Sequence, residues 1–260
     1  MNRLAAVGVL LGAAAIAAPA ASRALTADEL KKVVATIDDR QRNSGDWKAL
    51  CYMEAKEKGK TDVVYELLVY RRDEEDKQMF LFTKPKSEAG KGYLRLEKNL
   101  WMYDPGTGRW ERRTERERIG GTDTRRGDLD ESRLAEEYDA RWVGEERLGA
   151  YAVDRIKLAV KPGVDVAFPV VELWVDKATL NVLKRQEFAL SGKLMRTAYY
   201  PRWRKVFSPS KKGEVWFPEE MRFFDEIEKG NSTLILIKEI DLRPLEANLF
   251  TKAWLEAKSR

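Results

Sequence analysis

The sequence predicts an α+β fold: a single, strongly curved antiparallel sheet of about ten or eleven strands with helices packed against it. Three observations carry this. From Trp47 onward apolar residues recur at every second position, as in Val63, Tyr65, Leu67 and Val69, which is the period of a strand. The turns between these runs are too short for the crossovers that parallel strands require. Several strands are also apolar at consecutive positions, Phe80-Leu81-Phe82 and Leu173-Trp174-Val175 among them. Both faces of such strands need cover, which a curved sheet provides by packing helices and enclosing an apolar space.

The elements follow in order. Arg3, the apolar run from Leu4 to Ala18, and the small residues around Pro19 and Ser22-Arg23-Ala24 have the three-part layout of a secretory signal. The run is shorter than the roughly 20 residues of a spanning helix. Cleavage is expected after Ala24, with Ala20 as the alternative, so residues 1–24 are assigned to the signal and 25–260 to one exported domain. Thr26 and Glu29 have capping-box spacing, and Leu30, Val33, Val34 and Ile37 follow at helical intervals. A helix over 26–42, packed on the concave side of the sheet, is the expectation.

Strands are predicted from Trp47 through Cys51 and at 63–70, 79–83, 93–96 and 100–103, with 109–113 returning after the Asp104-Pro105-Gly106 turn. A charged, glycine-containing segment from Glu115 to Tyr138 reads as a long loop leading into a helix near 128–138, capped by Asp128 or Asp130. Strands resume at 151–160, 170–176, 182–190, 194–201, 215–224 and 233–241, and Asn248 to Thr251 opens a terminal helix.

Composition narrows the chemistry. The 260 residues contain no histidine and one cysteine, which removes Ser-His-Asp and Cys-His catalysis, imidazole or thiolate metal sites and any internal disulfide. Mean hydropathy is −0.53, against a polytopic membrane protein. Without residues 1–24, which hold Arg3 and Arg23 and no acid, 46 basic residues face 43 acidic ones, for a formal charge of +3. The two signs alternate, as in Glu115-Arg116-Glu117-Arg118, so no nucleic-acid footprint is expected. Asp123, Asp128, Asp130 and Glu131 lack the spacing of a calcium loop and read as solvated. Cys51 reads as a buried, inert thiol, and neither cofactor, metal nor catalytic residue is expected.

The positive signal is the doubly apolar sheet, whose enclosed space would suit acyl chains. Phe80, Phe82, Trp101, Tyr103, Trp174 and Phe188 are the candidates for the walls of a lipid cavity.

Several segments, in order, resemble a known family. They are the stretch Arg40 to Asp46 before the first strand, Phe82-Thr83-Lys84-Pro85, Gly92-Tyr93-Leu94-Arg95 and Asn99 to Pro105. Gly120-Gly121-Thr122-Asp123, Asp128-Leu129, Val171 to Lys177, Leu183-Lys184-Arg185, Gly192-Lys193-Leu194, and Phe250-Thr251 with Leu255 continue the series. Together they are similar to the LolA-like periplasmic outer membrane lipoprotein-sorting proteins. The resemblance implies an open, incomplete barrel with helices over its mouth. It also implies a monomeric, non-enzymatic carrier or holder of lipid or lipoprotein acyl chains in the periplasm of a Gram-negative cell. A resistance-nodulation-division (RND) transporter of the inner membrane is the implied partner. An envelope-stress sensor or transporter accessory subunit on the same half-barrel is the alternative.

Overall fold

The computed structural model describes residues 23–42, 45–96, 99–113, 122 and 132–259. Helix α1 (Ala27–Arg42) is followed by β1 (Asp46–Lys56), β2 (Val63–Arg72), β3 (Lys77–Lys84), β4 (Gly92–Leu96), β5 (Asn99–Asp104) and β6 (Arg109–Arg113). The short α2 (Leu134–Glu137) then leads into β7 (Tyr138–Leu148), β8 (Tyr151–Val160), β9 (Val170–Asp176) and β10 (Val182–Phe188). Strands β11 (Leu194–Ser208), β12 (Gly213–Asp225), β13 (Ser232–Asp241) and helix α3 (Lys252–Lys258) complete the chain.

All thirteen strands lie in one antiparallel sheet, ordered β6-β5-β4-β3-β2-β1-β13-β12-β11-β10-β9-β8-β7. Two meanders, β1–β6 and β7–β13, therefore meet at the centre, where Cys51 of β1 stands between Leu67 of β2 and Ile237 of β13. The outer edges, β6 and β7, do not pair, so the barrel stays open. Curvature follows from a simple distance argument. Phe80 on β3 and Leu173 on β9 line one cavity although seven strand steps separate them. At about 4.8 Å per step a flat sheet would hold them roughly 34 Å apart, so the sheet must curl around the cavity.

The sheet has more strands than the sequence reading counted, and β7 is the element it lacked. Tyr138 is buried and Ala140 and Trp142 half-buried while Asp139, Arg141 and Val143 point outward, a period-two pattern within dense charge. Charge of this kind suits an edge, where it discourages pairing with another chain. Because β7 starts at Tyr138, the helix expected near 128–138 is reduced, among the described residues, to the single turn α2. Asp128 and Asp130 lie outside the described residues, and the cap of α2 comes from α1. The buried carboxylate of Asp38 accepts from the Leu134 amide at 2.9 Å, the Ala135 amide at 2.8 Å and the Ser132 hydroxyl at 2.5 Å.

Helix α1 starts as its capping box dictates. The Thr26 amide donates to Glu29 Oε2 at 2.8 Å and the Glu29 amide to Thr26 Oγ1 at 3.3 Å. Leu30, Val33, Val34 and Ile37 are all buried, against Leu134, Tyr138 and the face of β8–β10 that carries Ile156, Val171 and Leu173. No helix among the described residues is long and apolar enough to cross a membrane.

The opposite face of β3–β5 is covered by the C-terminal segment, which explains the doubly apolar run of β3. Phe80 and Phe82 face the main core, whereas Met79 and Leu81 join Leu94 beneath Leu249, Phe250 and Leu255. Gly92 lets Leu255 approach. A Cβ there would lie 2.7 and 2.8 Å from the Leu255 methyls and 2.8 Å from the Phe80 carbonyl oxygen. We predict that Gly92→Ala lowers stability by about 1–3 kcal/mol. In thermal melts, adding Leu255→Ala should cost less than the two single effects summed, because the second change relieves the clash.

Candidate functional site

The curled sheet and its two lid helices enclose an apolar cavity of about 200 Å³. For scale, an apolar cavity of about 150 Å³ admits benzene. The walls come from nearly every central strand: Cys51 and Met53 of β1, Leu67 and Val69 of β2, Phe80 of β3, Phe217 and Phe223 of β12, and Ile235 and Ile237 of β13. Ile37 of α1, Leu134 of α2, Leu173 of β9 and Val182 of β10 close the far side. The alternation of β1, β2 and β13 places these residues inward, and Trp47 braces Phe217 edge-on at 5.0 Å.

Part of the cavity lining is polar. Trp47, Arg71, Gln78 and Arg95 are successive cross-strand partners on β1–β4, and Arg71 and Gln78 reach the cavity. Asp73 pairs with Arg71 at 2.9 Å, and Asp76 pairs with Arg95 at 2.9 Å. Across the opening, Arg40 of α1 donates to Asn181 Oδ1 at 2.8 Å. Burial of this guanidinium pulls its pKa below the ordinary arginine value. Asn181 and Leu180 sit in the β9–β10 turn, where Leu180 takes a left-handed φ of 58°. Asp176 holds that turn, its carboxylate accepting from the Thr179 amide at 3.1 Å and the Thr179 hydroxyl at 2.5 Å. Arg185 of β10 is the third arginine of the lining, paired with Glu187 at 2.7 Å. Three arginines thus line the cavity, and no carboxylate does among the described residues.

Two titratable groups at the inner face are held neutral by burial. The Tyr138 phenol is pushed up to about 12 and donates to the Phe168 carbonyl at 3.0 Å. Burial also pushes the Cys51 thiol from 9.0 up to about 12. At neutral pH its thiolate fraction falls about a thousandfold, so iodoacetamide should label native Cys51 at least that much more slowly than the urea-unfolded chain. Among the described residues no three potential metal ligands converge.

The six aromatic residues chosen from sequence divide between the faces. Phe80 lines the cavity, and Phe82 lies on the same face, 5.6 Å from Tyr65 and 6.1 Å from Tyr93. The structure does not bring the other four to it. Trp101 lies opposite Leu94, away from the cavity, under the Lys252 ammonium at 4.1 Å. Tyr103 stacks on Trp110 at 5.1 Å in the cluster beneath α3. Trp174 faces away from Leu173, with Lys184 4.0 Å and Arg155 5.1 Å from its ring centre. Phe188, half-buried, pairs with Val170 at the end of β10. The cationic wall escaped the sequence reading, although one signal was there: Arg71 shares the parity of Leu67 and Val69, so a charge was due on the inner face.

This architecture recurs in solved structures. An outer membrane lipoprotein-sorting protein domain from Vibrio parahaemolyticus superposes with a TM-score of 0.74 at 20% identity, covering 89% of this chain and 100% of that one. A LolA superfamily protein from Nitrosomonas europaea gives 0.70 at 18% identity, covering 86% and 98%. A DUF1329 family protein from Desulfovibrio piger gives 0.74 at 18% identity, covering 86% and 97%. A family model described as an uncharacterized protein matches residues 74–257, most of the chain. The chain belongs to the family that this model describes, and it has the LolA-like fold of the three solved structures. No curated protein matches it. In the terms of the LolA-like fold, β1 and β13 form the back of the half-barrel and α1 with α2 forms its lid.

Proposed function

We propose that this LolA-like protein is a periplasmic carrier or holder of lipid or lipoprotein acyl chains, exported by residues 1–24 and folded as one domain over 25–260. The observation that carries the reading is the apolar cavity between the curled sheet and α1–α2. A methylene leaving water gains about 0.8 kcal/mol, so ten buried methylenes supply about 8 kcal/mol before ordering costs. Holding a chain needs no nucleophile, acid or base, and the walls supply apolar surface instead. Release requires α1 and α2 to move together, and the Asp38 cap ties them into one lid. An RND-type inner-membrane transporter is the partner we propose for loading or unloading.

The test is native mass spectrometry of the protein purified from its own cell envelope. A mass excess that denaturation releases as an acylated species supports the carrier. A stable protein complex free of lipid overturns it in favour of a sensor or accessory subunit.

A further inference from the structure

The cavity is mostly apolar but carries three arginines in its lining, and they are not equivalent. Arg71 has Asp73 and Arg185 has Glu187 as counter-charges. Arg40 has only the neutral amide of Asn181, and among the described residues no carboxylate pairs with it. Its guanidinium is half-buried at the cavity wall, presented from the last turn of α1 by the buried Ile37 and Val34. A partly desolvated cation without a counter-ion is costly, and an anion arriving there offsets that cost. The fork of a guanidinium also matches a carboxylate or phosphate in two-point geometry, and Asn181 occupies only one of its five donors. Water exclusion strengthens the attraction, and Arg71, Gln78 and Arg185 add positive field and donors on the other sides.

We infer that the ligand of this cavity is an anionic amphiphile whose acyl chain lies in the apolar space and whose carboxylate or phosphate is held by Arg40, with Arg71 and Arg185 in the same lining. The inference rests on the lipid-holding role proposed above and adds to it the headgroup class and the residue that selects it. A neutral or cationic headgroup would leave Arg40 uncompensated. Selection therefore comes from charge, and most of the affinity comes from the chain.

The experiment is displacement of the neutral dye N-phenyl-1-naphthylamine from the full chain at neutral pH and moderate salt. Competitors are dodecanoate, dodecyl phosphate, dodecanol, dodecyltrimethylammonium and inorganic phosphate. Dodecanoate or dodecyl phosphate should bind about tenfold or more tighter than dodecanol, and dodecyltrimethylammonium should be the weakest amphiphile. Arg40→Gln, which retains a donor for Asn181, should erase most of that preference, with dodecanol affinity and the melting temperature level or raised because the uncompensated charge is gone. Arg40→Lys should keep part of it.

Equal binding of dodecanoate and dodecanol by the unaltered protein overturns the inference and leaves the lipid reading standing. So does an Arg40→Gln variant that loses stability with no selective change, since that marks a structural arginine. Inorganic phosphate binding as tightly as dodecyl phosphate shows a free-anion site and overturns it too. If neither dye nor dodecanol binds, the lipid reading itself fails and the inference with it.

Discussion

Replacing Glu187 by leucine should cost about 3–5 kcal/mol, a fall of roughly 10 °C in melting temperature for a domain of this size. The Glu187 carboxylate is 4% exposed and lies 3.3 Å from Arg196, which is itself 4% exposed. A second contact, 2.7 Å to Arg185, links the same carboxylate to the cavity wall. Removing it takes a buried counter-charge from Arg196, which lies against the ring of Phe223 with 4.4 Å to the ring centre, and from Arg185 beside it. A cation over an aromatic face recovers far less than a paired carboxylate. Thermal melts of Glu187→Leu, Arg196→Met and the double variant form the check. The double variant should recover much of the loss, because replacing both members of a buried pair with apolar groups is often close to neutral. Strictly additive losses would show that the pair is not coupled.

Filling the cavity should have the opposite signature: large on binding and small on stability. Cys51 opens onto the cavity from the sheet centre, and a phenyl ring there would project into the space a chain must occupy. Cys51→Phe should weaken binding of a neutral apolar dye by more than tenfold. Its melting temperature should stay level or rise, since filling a void commonly adds about 0.5–2 kcal/mol. Full dye affinity in this variant would move the ligand site away from the cavity. A loss of about 1–3 kcal/mol would show that the space cannot accept a ring, as in an overpacked core.

Much of the fold was legible because its signals are local. Helix α1 was bounded within a residue by Thr26, Glu29 and a four-residue apolar stripe, each interacting with neighbours a turn away. Most strands were visible from their period of two, and the short turns left only antiparallel pairing. Strand β7 was hidden because edge strands carry the charge that also marks loops. An enclosed apolar space could be inferred from β3, which is apolar on both sides, but its residues could not. Phe80 and Leu81 look alike in sequence, and a shift of one residue exchanges the faces. On β5 the aromatic pair Trp101 and Tyr103 turned outward while Leu100 and Met102 took the core face.

The sequence alone determined the sheet-rich fold class, the capped first helix, the absence of histidine chemistry and the burial of both faces of β3 and β9. Each depends on residue type and on spacing of a few positions. Only the tertiary structure decided which face encloses the cavity, since register bulges such as those in β10 and β11 reset the parity along the chain. It also decided that α1 supplies the cap of α2 through Asp38, and that Arg40, Arg71 and Arg185 line one cavity. These groups lie far apart in sequence, on α1, β2 and β10. The curl that brings them together is a sum of twists and pairings over all thirteen strands, which no local window contains.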